Sequence, residues 1–310
     1  MFSLFKRSAA APGRAGVFVS DEGVALAVVE PGRAGRARLA HCEFRECARD
    51  AVPECVTQMF ADSGLGRTAT SAVLPSAGYQ LVLVEAPDVL PAELKAAIRW
   101  RVKDMIDFGI EDAVIDVFEP PAPSRRQQQR SMYAIAARRD AVQRTVDVLS
   151  PVAKGFDVID IPELCLRNIA ALLPADEAGL ALLHQHGTTA ELILTRAGKL
   201  YLSRHIDLSR HMGLADDGMP DSAALSLELQ RSLDYYESHF DQPPINSLFV
   251  VPCDPRSEAL AAGLGRESAL RVGVVDLNEL FECATPLDAA LQARCLLAAG
   301  AALRLERTRL

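Results

Sequence analysis

Apolar and polar positions alternate along AGVFVSDEGVALAVVE, near the start of the chain. This period of two predicts two short strands, and Asp21, Glu22 and Gly23 between them predict a tight turn in which Gly23 takes a positive φ. PGRAGRARLAHCEFRE adds a third strand. A helix is predicted from Pro53 to about Ala61, followed by strands in TSAVLP and YQLVLVEAP. The period then changes inside IRWRVKDMIDFGIEDAVIDVFEPP. Pro91, Glu93 and Leu94 open a helical register, and Ile98, Val102, Met105 and Ile106 recur at spacings of three and four, so one apolar face is predicted as far as Gly109. Beyond it, Ala113, Ile115 and Val117 alternate with Val114, Asp116 and Phe118. That is a strand pattern, closed by Pro120 and Pro121.

A polar loop from Pro123 to Arg130 leads to a predicted strand at Met132 to Ala136 and a helix from Asp140 to about Leu149. Val158, Ile159 and Ile161 are strand-like, and Pro162 opens another amphipathic helix. From Gly179 the opening pattern returns. AGLALLHQHGTTAELILTRAGKLYLSRHI reads as strand, turn, strand, a hairpin at Ala197 and Gly198, and strand, which predicts two halves of similar topology. SAALSLELQRSLDYYESHF predicts a helix with Leu225, Leu229, Leu233 and Tyr236 inward and Glu228, Arg231, Asp234 and Glu237 in water. INSLFVVP is a strand, RSEALAAGLG a helix ending at a glycine, LRVGVVDLNELF a strand entering a turn, and about Pro286 to Ala302 the last helix. Two α/β domains with antiparallel edges follow.

Bulk properties narrow the functions. The 310 residues suffice for two domains with real cores, and 49% hydrophobic with 24% charged residues is a globular balance. A net charge of -8 disfavours non-specific nucleic-acid binding. Seven scattered cysteines without a Cys-x-x-Cys pair, and no leading signal segment, read as reduced thiols in a cytoplasmic protein. No apolar run is long enough to span a bilayer. CLLAAGAAL, between Arg294 and Arg304, reads as a core helix, and MFSLFKR as a frayed terminus rather than a membrane contact.

Taken in order, IRWRVKDMIDFGIEDAVIDVF, MYAIAARRDAVQRTVDVL, FDVIDIPELCLRNIAALLP, ALLHQHGTTAELILTRAGKLYLSRHI and LELQRSLDYYESHF resemble the actin-like pilus-assembly proteins of the PilM type, closest to the MshI proteins of mannose-sensitive haemagglutinin (MSHA) pilus systems. The resemblance covers nearly the whole chain. It implies an actin-like (ASKHA) α/β fold of two lobes around a cleft. The first lobe would take residues 1–157, with a small inserted subdomain at about 75–138. The second would take 158–310, with the C-terminal helix packing back on the first.

The same resemblance implies that the subdomain's neighbourhood receives a short cytoplasmic peptide of a single-span inner-membrane platform protein. Trp100, Arg101, Asp104, Asp107 and Phe108 are expected near that surface. Taken alone, Trp100 reads as well as a core or hinge residue, and Arg101 and Asp104 as solvated surface. Assembly as a homodimer or ring is compatible with the family pattern.

Members that bind ATP hold it between a hairpin of each lobe, with a carboxylate for hydrated Mg²⁺ and glycines that let backbone N–H groups reach phosphate. Here Phe18 stands where the resemblance implies aspartate, and Ser20 where it implies glycine. Asp21 and Glu22 in the turn would repel a triphosphate unless a metal intervened. In the second hairpin His184, Gln185 and His186 replace aspartate and glycine, and Pro252 with Cys253 replaces a glycine pair near the adenosine. The expectation is a vestigial cleft with no ATP, no Mg²⁺ and no catalysis. His184 and His186 share a spacing that metal sites use, and His205 or Cys253 would complete a set, but two polar residues at the cleft mouth is the preferred reading.

The function implied is a non-catalytic scaffold of a type IV (MSHA-like) pilus or secretion platform, cytoplasmic and held at the inner membrane through protein partners. The alternatives are a nucleotide-dependent actin-like switch in the same machinery, with Asp21 on the metal side, and a sugar kinase. A kinase needs an intact phosphate site as well as a base, which makes it the weakest.

Overall fold

The computed structural model describes residues 13–123, 130–211, 222–252 and 255–304. MFSLFKR, residues 124–129 of the polar loop, and Cys253 lie outside them. The first half runs β1 (Arg14–Val19), β2 (Gly23–Pro31), β3 (Ala37–Glu46), α1 (Val52–Ser63), β4 (Ala69–Val73), β5 (Tyr79–Glu85), α2 (Leu94–Val102), β6 (Ala113–Phe118), β7 (Ser131–Arg138), α3 (Arg139–Leu149), β8 (Phe156–Asp160) and α4 (Pro162–Ala170). The second runs β9 (Leu180–His186), β10 (Thr189–Arg196), β11 (Lys199–Asp207), α5 (Ser222–Phe240), β12 (Ser247–Val251), α6 (Pro255–Glu267), β13 (Arg271–Val274), α7 (Leu277–Leu280), β14 (Glu282–Cys283) and α8 (Ala289–Ala302).

Two sheets repeat one strand order, β14-β3-β2-β1-β4-β8 and β11-β10-β9-β12-β13. In each, an antiparallel meander is followed by two parallel strands. This is the repetition that the echo between the two hairpin-rich stretches predicts.

Strand β2 shows how the layers form. Every residue from Gly23 to Val29 is buried because the sheet is covered on both faces. Val24, Leu26 and Val28 pack with Val56, Met59, Phe60 and Leu149 of α1 and α3. Ala25, Ala27 and Val29 face α8, where small side chains let helix and sheet approach closely. A Cβ on Gly16 would lie 1.9 Å from the Ala298 carbonyl oxygen, so β1 admits only glycine there. Helices α4 and α8 form the layer between the sheets, against Leu180, Leu182 and Ile193 of the second sheet. The outer face of that sheet is covered by α5 and α6 through Leu225, Leu229, Leu233, Leu260 and Leu264.

The chain's end thus packs on its beginning. Besides α8, the two-residue β14 pairs with β3, Cys283 opposite Leu39, a strand too short for sequence patterning to reveal. A division at residue 157 falls inside β8, whose pairing with β4 continues through Asp160. Among the described residues no helix is long and apolar enough to cross a membrane.

A third sheet, β5-β7-β6, is antiparallel. Helix α2 covers one face with Ile98 and Val102 against Val84, Val117, Met132 and Ala134. The other face packs Leu81, Phe118 and Ile135 against the central layer. The helix expected to run on to Gly109 stops instead at Val102; Met105 is exposed, while Ile106 still packs on the small core as expected. Contacts from outside the helix draw the chain away. Arg99 donates to the Ala113 carbonyl at 3.1 Å and to that of Ile110, the Asp107 N–H donates to Gln80 Oε1 at 3.0 Å, and Arg138 pairs with Asp107 at 2.7 Å.

Candidate functional site

The first hairpin of the expected cleft directs its polar groups inward. At the β1–β2 turn, Ser20 N–H donates to the Gly23 carbonyl at 2.9 Å. The Ser20 hydroxyl also donates to that carbonyl and accepts the Glu22 N–H at 3.3 Å. Gly23 has φ 155°, and a Cβ there would lie 2.1 Å from the Arg45 carbonyl oxygen. The two turn carboxylates are compensated, contrary to the repulsion expected from sequence. Asp21 pairs with Arg49 at 2.7 Å in open solvent, and Glu22 lies 3.6 Å from Arg294, which also holds Glu46 and stacks on Phe44. Phe18 is half-buried against the central layer.

In the second hairpin, His184 and His186 lie on one face with nearly parallel rings, centroids 6.5 Å apart. His184 is half-buried, and burial, then the charge of His186, lowers its pKa to about 4. Strand pairing puts His184 beside Val251, and buried Pro252 follows. The same pairing sets His184, Glu191 and His205 in a row across β9, β10 and β11. His205 Nδ1 lies 3.5 Å from Glu191, whose hydrogen bond raises the histidine pKa. Among the described residues no three His, Cys, Asp or Glu side chains form a group able to hold a metal.

The small sheet behaves differently. Trp100, the chain's single tryptophan, is 73% exposed, with Lys103 Nζ 5.7 Å from its ring, so the core or hinge alternative does not apply. Arg101 pairs with Glu85 at 3.6 Å, and Asp104 is exposed. Phe108 is half-buried beneath the Arg138 guanidinium, 4.3 Å from its ring, and packs on the small core, so it anchors the segment rather than standing free. Asp107, joined to Arg138, belongs to the same anchor.

Beside these residues lies a feature that sequence patterning does not single out. A groove of about 340 Å³ runs between α2, the edge of β6 and the start of α3, lined by Lys95, Ala96, Arg99, Val114, Ile115 and Arg139. Strand β6 is the last in its sheet, so one side of its backbone has no strand partner. Trp100 does not line the groove but lies one helical turn beyond Ala96, which does. The only sequence signal is the alternation that makes β6 a strand. Its edge position depends on pairing with β7, whose residues come after the polar loop.

No family model matches the sequence, and no curated sequence does. Solved structures do. A chain of a PilM–PilN type IV pilus biogenesis complex superposes with a TM-score of 0.67 at 19% identity, over 94% of this chain and 98% of the other. A Bacteroides thetaiotaomicron protein with an actin-like ATPase fold and unknown function superposes with a TM-score of 0.50 at 10% identity, over 95% and 99%. The repeated sheets and the helices between them therefore constitute an actin-like, two-lobed α/β fold.

Proposed function

We propose that this chain is a non-catalytic scaffold of the PilM type, with the MshI proteins of MSHA pili as its nearest functional counterparts. In this reading it works in the cytoplasm on the inner face of the inner membrane, held there by protein partners, and docks the cytoplasmic peptide of a single-span platform protein. The observation that carries the reading is the groove along the edge strand β6, with exposed Trp100 one helical turn along α2 from its lining residue Ala96. An edge strand binds an extended peptide through backbone hydrogen bonds, and flanking side chains select among sequences. The likeness in fold to a chain from a PilM–PilN complex supports the choice of partner. The self-contained β1–β2 turn supports a cleft that no longer serves a nucleotide, because the N–H groups of Ser20 and Glu22 are not free to meet phosphate oxygens.

Trp100 provides the test, since it is the single indole. Titration with a synthetic peptide of the cytoplasmic tail of a neighbouring platform protein should give a saturable shift in tryptophan emission. Absence of binding to every such tail would remove the reading.

A further inference from the structure

The groove beside β6 is lined by charges of one sign. Lys95, Arg99 and Arg139 stand around Ala96, Val114 and Ile115, and no carboxylate belongs to the lining. In a chain of net charge -8, that concentration runs against the bulk.

The acidic side chains of the neighbourhood are placed elsewhere. Asp116 pairs with Lys95 at 3.0 Å, and Asp107 with Arg138 at 2.7 Å. Glu111 and Asp112 turn their carboxylates toward Gly109, where an added Cβ would lie 3.7 and 3.6 Å from their oxygens. Among the described residues, Arg99 and Arg139 therefore have carbonyl partners but no carboxylate. Arg99 donates to Ala113 at 3.1 Å and to Ile110, and Arg139 donates to Glu111 at 3.1 Å. A backbone carbonyl holds a guanidinium in place without neutralising it, and five N–H donors leave part of each unspent. Both charges thus stand over one short stretch, Ile110 to Ala113, at the entry to the edge strand.

We propose that the groove selects an extended peptide with an acidic side chain, whose carboxylate is held between Arg99 and Arg139, with Lys95 as a third, already paired cation. The proposal rests on the peptide-docking reading and adds the partner's chemistry to it. Guanidiniums fixed beforehand lose little freedom when the carboxylate arrives, which favours the bound state. Alternate residues of a strand share a face, so the residues two positions before and after the acidic one should be apolar, to suit Ala96, Val114 and Ile115. A basic residue at the same place would meet three cations and be refused.

Three capped peptides of alternating threonine and valine, identical except for glutamate, glutamine or lysine at one central valine position, test this with the full chain by fluorescence anisotropy of an attached dye. The glutamate peptide should bind about tenfold more tightly than the glutamine peptide, and the lysine peptide most weakly. Raising the salt from about 50 to about 500 mM should remove most of that margin. Arg139 is exposed, so Arg139→Gln should leave the melting curve unchanged while it reduces the margin roughly threefold. Lys95→Gln also frees Asp116 beside the groove and should reduce the margin as well. Equal binding of the glutamate and glutamine peptides, or a margin that neither variant alters, would overturn the acidic preference and leave the docking reading standing. Binding by none of the three would overturn it too, and the platform-tail titration then decides separately on the docking reading.

Discussion

At the β1–β2 turn Ser20 and Glu22 direct their N–H groups into the turn itself, and Asp21 and Glu22 each have an arginine. On α2, in the turn after it and on the edge strand β6, Trp100, Met105 and Val114 respectively stay open to water. All the exposed large apolar side chains among the described residues except Leu227 fall between Leu83 and Val114, a concentration that calls for a reason, whereas a satisfied turn needs none. The lesson is to look for function where contacts are left unmade. The β1–β2 turn has used up the N–H groups of Ser20 and Glu22, whereas the edge strand β6 has no partner strand on one side, though Arg99 takes the Ala113 carbonyl and Asp116 the Val117 N–H.

The largest expected effect comes from the ion pair that joins the end of β8 to Arg304, the chain's last described residue. Asp160 is buried, accepts Arg304 at 2.6 Å through Oδ2, and accepts the Ile161 N–H at 3.0 Å through Oδ1. Asp160→Ala leaves a buried guanidinium without its carboxylate and should cost about 3–5 kcal/mol, visible as a large drop in the urea midpoint. A variant as stable as wild type would mean that water or another acceptor already serves Arg304.

Next comes the contrast between groove and cleft. Trp100→Ala should weaken peptide binding by at least about 2 kcal/mol, roughly thirtyfold, with an unchanged melting curve because the indole is exposed. Asp21→Ala should leave affinity unaltered, since its one ion pair is fully solvated. Phe108→Ala is a poorer probe. It removes packing under Arg138 and should lower the melting temperature along with the affinity. A loss confined to the Asp21 variant would reverse the comparison and return attention to the cleft.

These outcomes depend on features of unequal legibility. Hairpins were readable because turn residues such as Asp21, Glu22, Gly23 and Gly198 mark them locally, and their recurrence exposed the repeated lobe. Helix α2 was readable only to Val102. Its apolar spacing runs on to Ile106, but the contacts that end it come from Gln80, Ala113 and Arg138, which a local window does not contain. The Tyr79–Glu163 hydrogen bond was hidden for the same reason. Tyr79 and Glu163 are 84 positions apart, and only the fold brings them to 2.6 Å. Glu163 does leave one mark, a charge on a helix whose other early residues are apolar.

A smaller, spectroscopic difference separates two histidines of one strand row. His184, lowered to about 4, should remain neutral down to about pH 5, while His205, raised by Glu191, should gain its proton above the ordinary histidine value. Their linkage signs are opposite. Neutral His184 favours the fold above pH 6.5 and loses that contribution as pH falls toward 4, whereas protonated His205 favours it below 6.5 and loses it as pH rises through its folded value. Imidazole proton shifts across a pH series report both. An ordinary titration of His184 would show the cleft mouth to be hydrated.

The smallest effect expected is none at all. In the proposed reading, millimolar Mg-ATP finds inward-turned N–H groups at the first hairpin, an uncharged His184 at the second, and Pro252, which has no N–H, beyond β12. Binding at one hundred times the dissociation constant would stabilise the fold by about 2.7 kcal/mol, a rise of several degrees that a thermal shift assay detects easily. The melting temperature should instead be the same with and without nucleotide, and calorimetry should register no heat. A rise that disappears in Asp21→Ala would identify that carboxylate as a metal-side group. The nucleotide-dependent switch would then replace the scaffold reading, and the contrast between cleft and groove would become a division of labour between two working sites.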